Sequence, residues 1–139
     1  EVHVLLTTRS AKLTTHQGEV CLPGGKCDPG DADDIATALR EAYEELGLNP
    51  DNVRVLYRLP PFLSKHHLSV TPVVGIVPSS RHQHAPHPSL DEVAEVFDVP
   101  LSCFLGTQGH SHRDITWEEY TYRIHHFQWG GRTIWGLTA

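Results

Sequence analysis

No run of apolar residues in this chain approaches the roughly 20 in succession that a membrane-spanning helix needs, so no membrane partner is expected. Positive charge is also scarce. Lys and Arg number 11 against 17 Asp and Glu, a formal net charge of -6 with His neutral. A general nucleic-acid binder carries a basic surface, and nucleic acid is therefore not an expected partner. Cysteine is sparse: Cys21, Cys27 and Cys103 are odd in number and lack the paired spacing of a zinc site. That pattern predicts reduced thiols in an intracellular protein. No targeting segment stands at either end, and Glu1 opens inside what reads as a strand, so the chain is expected to be trimmed at both ends. What remains is an ordinary globular composition. Its 139 residues are enough for one domain, 1–139, with a real core.

The most organised stretch runs from Gly24 to Leu48. A glycine pair and an aspartate-rich Pro-Gly turn lead into an unbroken helical segment that stops at Gly47. Asp31, Asp33 and Asp34 crowd its start, where carboxylates cap free amides and complement the helix dipole. Ile35, Leu39, Ala42 and Leu46 recur at the spacing of one buried helical face. At about 100° of turn per residue, Glu41, Glu44 and Glu45 fall together on the other side, predicted to be exposed. Three like charges so close repel one another. The cluster is either a solvated acidic face or a cation site, and the glycine-rich turn with its further carboxylates favours hard cations such as Mg²⁺. Mg²⁺ commonly bridges a few carboxylates to substrate phosphates, so the constellation points to chemistry on a phosphoanhydride.

At these residues a family resemblance becomes visible. Arg40-Glu41-Ala42-Tyr43-Glu44-Glu45-Leu46-Gly47-Leu48 resembles the helical half of the Nudix box, and Gly25 with the following turn resembles its start. Asp31 stands where the family pattern usually has glutamate, and eight residues rather than seven separate it from Arg40. The lengthened box is similar to that of the coenzyme A diphosphatase branch, especially its peroxisomal members. Leu5-Leu6-Thr7-Thr8-Arg9-Ser10, then Leu13, His16, Gly18, Glu19 and Leu22-Pro23-Gly24-Gly25, resembles the signature preceding the box in that branch. The resemblance implies a Nudix α/β/α sandwich with a mixed central β-sheet, whereas periodicity alone supports a strand-rich α+β domain with one dominant helix.

Beyond the box, Val2 to Leu6 reads as a buried strand, and Val53, Val55 and Tyr57 alternate as a second. Leu68 to Val77 is a third, broken at Pro72. The segment 79–89, with Arg81, His82, His84 and His87, reads as a surface loop, since nothing completes a metal site there. Leu101 to Leu105 is expected to be a short helix and Gly106 to Asp114 a polar loop. Tyr120 to Trp129 alternates as a strand and turns at Gly130-Gly131 into Arg132 to Trp135. His125 and His126 then project to opposite faces and cannot chelate one metal together.

The resemblance implies metal-dependent hydrolysis of coenzyme A or an acyl derivative to 3′,5′-ADP and a phosphopantetheine, with Mg²⁺ or Mn²⁺ as cofactor. Glu41 and Glu45, one turn apart, are the first-choice metal ligands, and Glu44 is a third ligand or a catalytic base. Arg40 is expected to orient the glutamates by an ion pair. Arg9 is open to two readings, a structural ion pair or a bidentate phosphate contact. His16, Lys26 and Gly25 are the other candidate substrate-binding residues. Glu19, just before the box, is open to a place in the metal site or a turn cap, and Glu92 or Glu95 to a distant carboxylate for the metals or a merely exposed acid. The alternatives are a Nudix hydrolase of another nucleoside diphosphate such as ADP-ribose, and a non-catalytic nucleotide-binding module. Relatives of this branch imply a peroxisome or mitochondrion in a eukaryote and the cytoplasm in a bacterium.

Overall fold

The computed structural model describes residues 1–64, 66–78 and 88–139; the histidine-rich loop at Arg81, His82, His84 and His87 lies outside them. In chain order the strands and helices are β1 (His3–Arg9), β2 (Val20–Cys21), α1 (Asp34–Leu46), β3 (Arg54–Arg58), β4 (Phe62–Leu63), β5 (Ser69–Val70), β6 (Val73–Ile76), β7 (Val93–Pro100), α2 (Ser102–Leu105), β8 (His110–Trp117), β9 (Tyr120–Trp129) and β10 (Arg132–Trp135). They fall into two compact units, Glu1–Leu22 with Ala94–Ala139, and Pro23–Val93.

The first unit holds two three-stranded sheets, ordered β2-β1-β7 and β10-β9-β8. Its core is Leu6, Val20, Val99, Phe127 and Ile134, with Val4, Phe97, Cys103 and Phe104 packed against it. Phe104 meets Phe127 edge-on at 5.2 Å between ring centroids, a favoured aromatic geometry. The Gly130-Gly131 turn forms as the alternation predicts, pairing Arg132 with Trp129 through to Trp135 with His126. The segment read as a polar loop at Gly106 to Asp114 is instead largely β8, paired from His110 opposite Phe127 to Trp117 opposite Tyr120. Nearly every residue of that strand is exposed. Its conformation comes from pairing with β9, so it carries no apolar alternation to betray it.

In the second unit, Asp33 caps α1 by accepting a hydrogen bond from the Ala36 amide at 2.8 Å, and Gly47 closes the helix in the left-handed conformation. The capping aspartates and the stop were both legible, and α1 buries Ala42 and Leu46 on its apolar face. The helix contacts β6, which pairs antiparallel with β3 across a bulge between Val55 and Tyr57. The break at Pro72 splits one expected strand into β5 and β6, and the two pair with different partners, β4 and β3. Proline has no amide hydrogen to continue a ladder.

Candidate active site

Arg40 is the centre of the glycine turn and α1. Its Nε and Nη2 donate to the two Asp31 carboxylate oxygens at 2.9 and 3.0 Å, a bidentate pair. Nη2 also donates to the Lys26 carbonyl at 2.8 Å, and Nη1 to Glu41 at 3.1 Å and Glu44 at 3.2 Å. The expected ion pair between Arg40 and the glutamates is thus present. Only a planar, forked guanidinium reaches all these acceptors at once. The turn is locked further by Asp31, which accepts from the Asp28 amide at 2.9 Å and from Thr37 Oγ1 at 2.8 Å.

These contacts set the local electrostatics. Hydrogen bonds from Arg40, the Asp28 amide and Thr37 hold the Asp31 carboxyl well below the usual carboxylate range. Arg40 is raised above its ordinary value, chiefly by Asp31 and then by Glu41 and Glu44. Asp34 is lowered by the hydrogen bonds it accepts from Arg58.

The three glutamates are not equivalent. Glu45 is buried, at 7% exposure, and its Oε2 accepts from the Gly24 amide at 3.3 Å. The expectation of an exposed trio is corrected at this residue. Glu45 lies about 60° of helical turn from Ala42, at the margin of the buried face, and the glycine turn closes over it. Glu44 is half exposed and Glu41 mostly buried. Gly25 sits against Glu41, where a Cβ would fall 2.4 Å from the carboxylate carbon. The absence of a side chain there makes room for that carboxylate. Among the described residues no three His, Cys, Asp or Glu side chains converge on one point; Arg40 Nη1 stands between Glu41 and Glu44 instead. The donor set is nonetheless all oxygen, anionic and partly desolvated, which fits a hard divalent cation.

The other candidates divide between the units. Lys26 is exposed and tied to Arg40 through its carbonyl. Arg9, at the end of β1, makes no ion pair among the described residues, and its Nε is buried without an acceptor. His16 Nδ1 lies 2.9 Å from Glu19 Oε2. Glu95 is engaged by Arg132, at 2.5 and 3.2 Å, and Glu92 is exposed. The first unit also carries a cleft of about 480 Å³, lined in part by Thr8, Gln17, Gly18, Glu19 and Val20 from the segment preceding the box. Thr8 Oγ1 is buried there without a hydrogen-bond partner. Sequence reasoning did not single out Thr8 or Thr37, whose roles depend on burial that no local pattern announces.

An α/β domain in which a glycine turn feeds a helix of arginine-held glutamates is the arrangement of the Nudix box. The chain belongs to the Nudix family: the NUDIX domain matches residues 1–116, through both units. It is 48% identical over 143 residues to the mitochondrial Nudix hydrolase 15 of Arabidopsis thaliana, covering 100% of this chain and 50% of that protein. It is 45% identical over 129 residues to the peroxisomal coenzyme A diphosphatase NUDT7 of Mus musculus, covering 93% of this chain and 53% of that one. Against the uncharacterized Nudix hydrolase NudL of Citrobacter koseri the identity is 45% over 136 residues, with 98% and 69% covered. The chain spans about half the length of the eukaryotic relatives it matches.

Proposed function

We propose that this domain hydrolyses the diphosphate bond of coenzyme A or its acyl derivatives, giving 3′,5′-ADP and 4′-phosphopantetheine or its acyl form, with Mg²⁺ or Mn²⁺. The observation that carries the hydrolase reading is the Arg40 clamp, which holds Glu41 and Glu44 on one side of α1 beside the buried Glu45. Coenzyme A is favoured by the segment Leu5 to Leu22 and by the similarity to a peroxisomal coenzyme A diphosphatase. Peroxisomal and mitochondrial relatives favour an organelle as the compartment in a eukaryote.

In this reading Glu41 and Glu45 hold the cation, and Glu44 serves as a third ligand or accepts the proton of the attacking water. The cation, when bound, supplies positive charge that offsets the diphosphate and stabilises charge on the leaving phosphate. Arg40 fixes the carboxylates so that little reorganisation accompanies reaction. Arg9, with a buried donor left over, is suited to a phosphate oxygen.

The test is incubation with coenzyme A, with and without Mg²⁺, followed by mass analysis. Metal-dependent appearance of both products is the expected result. Cleavage of ADP-ribose but not coenzyme A would move the substrate to another nucleoside diphosphate. Metal-dependent thermal stabilisation with no product from either would favour a binding module.

A further inference from the structure

We propose that His110 and His125, on the β8–β9 hairpin, form a second metal site that takes a transition-metal cation of the Zn²⁺ class through two imidazole nitrogens. Antiparallel pairing sets His112 opposite His125 and His110 opposite Phe127. Side chains two residues apart on a strand share a face, so all four rings stand together. His110 Nε2 lies 2.9 Å from His125 Nδ1. The His110 ring is stacked on both His125 and Phe127, at 5.1 and 4.6 Å between centroids and 16° and 20° between planes. The pair is therefore held in place by its surroundings.

At the usual Zn–N distance of about 2.0–2.1 Å, two nitrogens of a tetrahedral shell stand about 3.3 Å apart. Exchanging the shared proton for a cation needs the pair to open by a few tenths of an ångström, with a small turn of each ring. His112 lies 6.1 Å from His110 and 6.2 Å from His125, centroid to centroid. Among the described residues no three such side chains already converge, so two nitrogens define the site, His112 flanks it, and water completes the shell. His112 is exposed and the other two half-buried, which leaves the ion a path from solvent. Imidazole selects Zn²⁺, Ni²⁺ or Cu²⁺ over Mg²⁺ and Mn²⁺. The oxygen-only donors Glu41, Glu44 and Glu45 suit hard cations such as Mg²⁺, which imidazole does not, so the proposed hydrolysis makes no use of this site. A bound ion would tie β8 to β9.

The test is calorimetric titration of Zn²⁺ into the full chain at saturating Mg²⁺, which occupies the carboxylates. His110→Gln and His125→Gln are each expected to lose one equivalent of Zn²⁺ binding relative to wild type. His126→Gln, on the opposite face of β9 and stacked on Trp135, is expected to keep it. His112→Gln should weaken binding about tenfold, as loss of a group that supports a ligand does. Bound Cu²⁺ should show electron-paramagnetic coupling to two imidazole nitrogens, lost in either His110→Gln or His125→Gln. Wild-type stoichiometry and an unchanged Cu²⁺ spectrum in both of those variants would overturn the site. So would an equal loss in His126→Gln.

Discussion

A methyl group at Gly25 would sit 2.4 Å from the Glu41 carboxylate carbon, nearer than unbonded atoms approach. The obstacle is the end of a flexible side chain, so the clash by itself is cheap to relieve. The relief, however, moves Glu41 away from Arg40 Nη1, now 3.1 Å distant. Gly25→Ala is therefore expected to leave the thermal midpoint nearly unchanged. It should lower kcat/KM by about 10–100-fold, the cost of losing a partner that orients a metal ligand, and raise the metal concentration needed for half-maximal turnover. Wild-type turnover with a wild-type metal requirement in this variant would remove Glu41 from the ligand set. Glu45 stands differently. Its carboxylate is buried and accepts from the Gly24 amide, so the glycine turn fixes it, whereas Arg40 holds Glu41.

The turn and the helix it feeds act as one element because Asp31 and Arg40 join them. Asp31 keeps its charge below the ordinary carboxylate range through Arg40, the Asp28 amide and Thr37. A depressed folded-state pKa contributes stability that is fully present above the unfolded value, about 3.9 for aspartate. That stability is lost as pH falls toward the folded value. Wild type should therefore exceed Asp31→Asn in thermal midpoint by a constant margin from neutral pH down to about pH 4, and the margin should shrink only below that. A margin that closes between pH 7 and pH 5 would show that another group controls the clamp. This element was the most legible part of the chain, since capping aspartates, apolar spacing and a terminal glycine are all local signals, and Arg40 lies one helical turn from Glu44. The strand from Tyr120 to Trp129 was legible for the same reason. The burial of Glu45 was not, because it depends on a turn 21 residues earlier in sequence closing over the helix. Nor was β8, whose exposed face hides its alternation and whose partner is the following strand.

Trp117, Trp129 and Trp135 all belong to the unit of Glu1–Leu22 with Ala94–Ala139, whereas the long helix α1 belongs to Pro23–Val93. Tryptophan fluorescence therefore reports one unit and the far-ultraviolet helix signal mainly the other. Ile134 is fully buried in the core of the first unit with Leu6 and Val99, and truncating such a residue to alanine costs about 2–5 kcal/mol. That is a large share of the roughly 5–15 kcal/mol that holds a domain folded. Chains below about 150 residues usually unfold in one all-or-none transition. On that ground, Ile134→Ala should lower the midpoints seen by fluorescence and by helix signal equally, although the substitution touches only one unit. If the fluorescence midpoint falls and the helix midpoint holds, the units unfold separately. The family match across both would then span two cooperative bodies, and the Arg40 clamp would owe its stability to Pro23–Val93 alone.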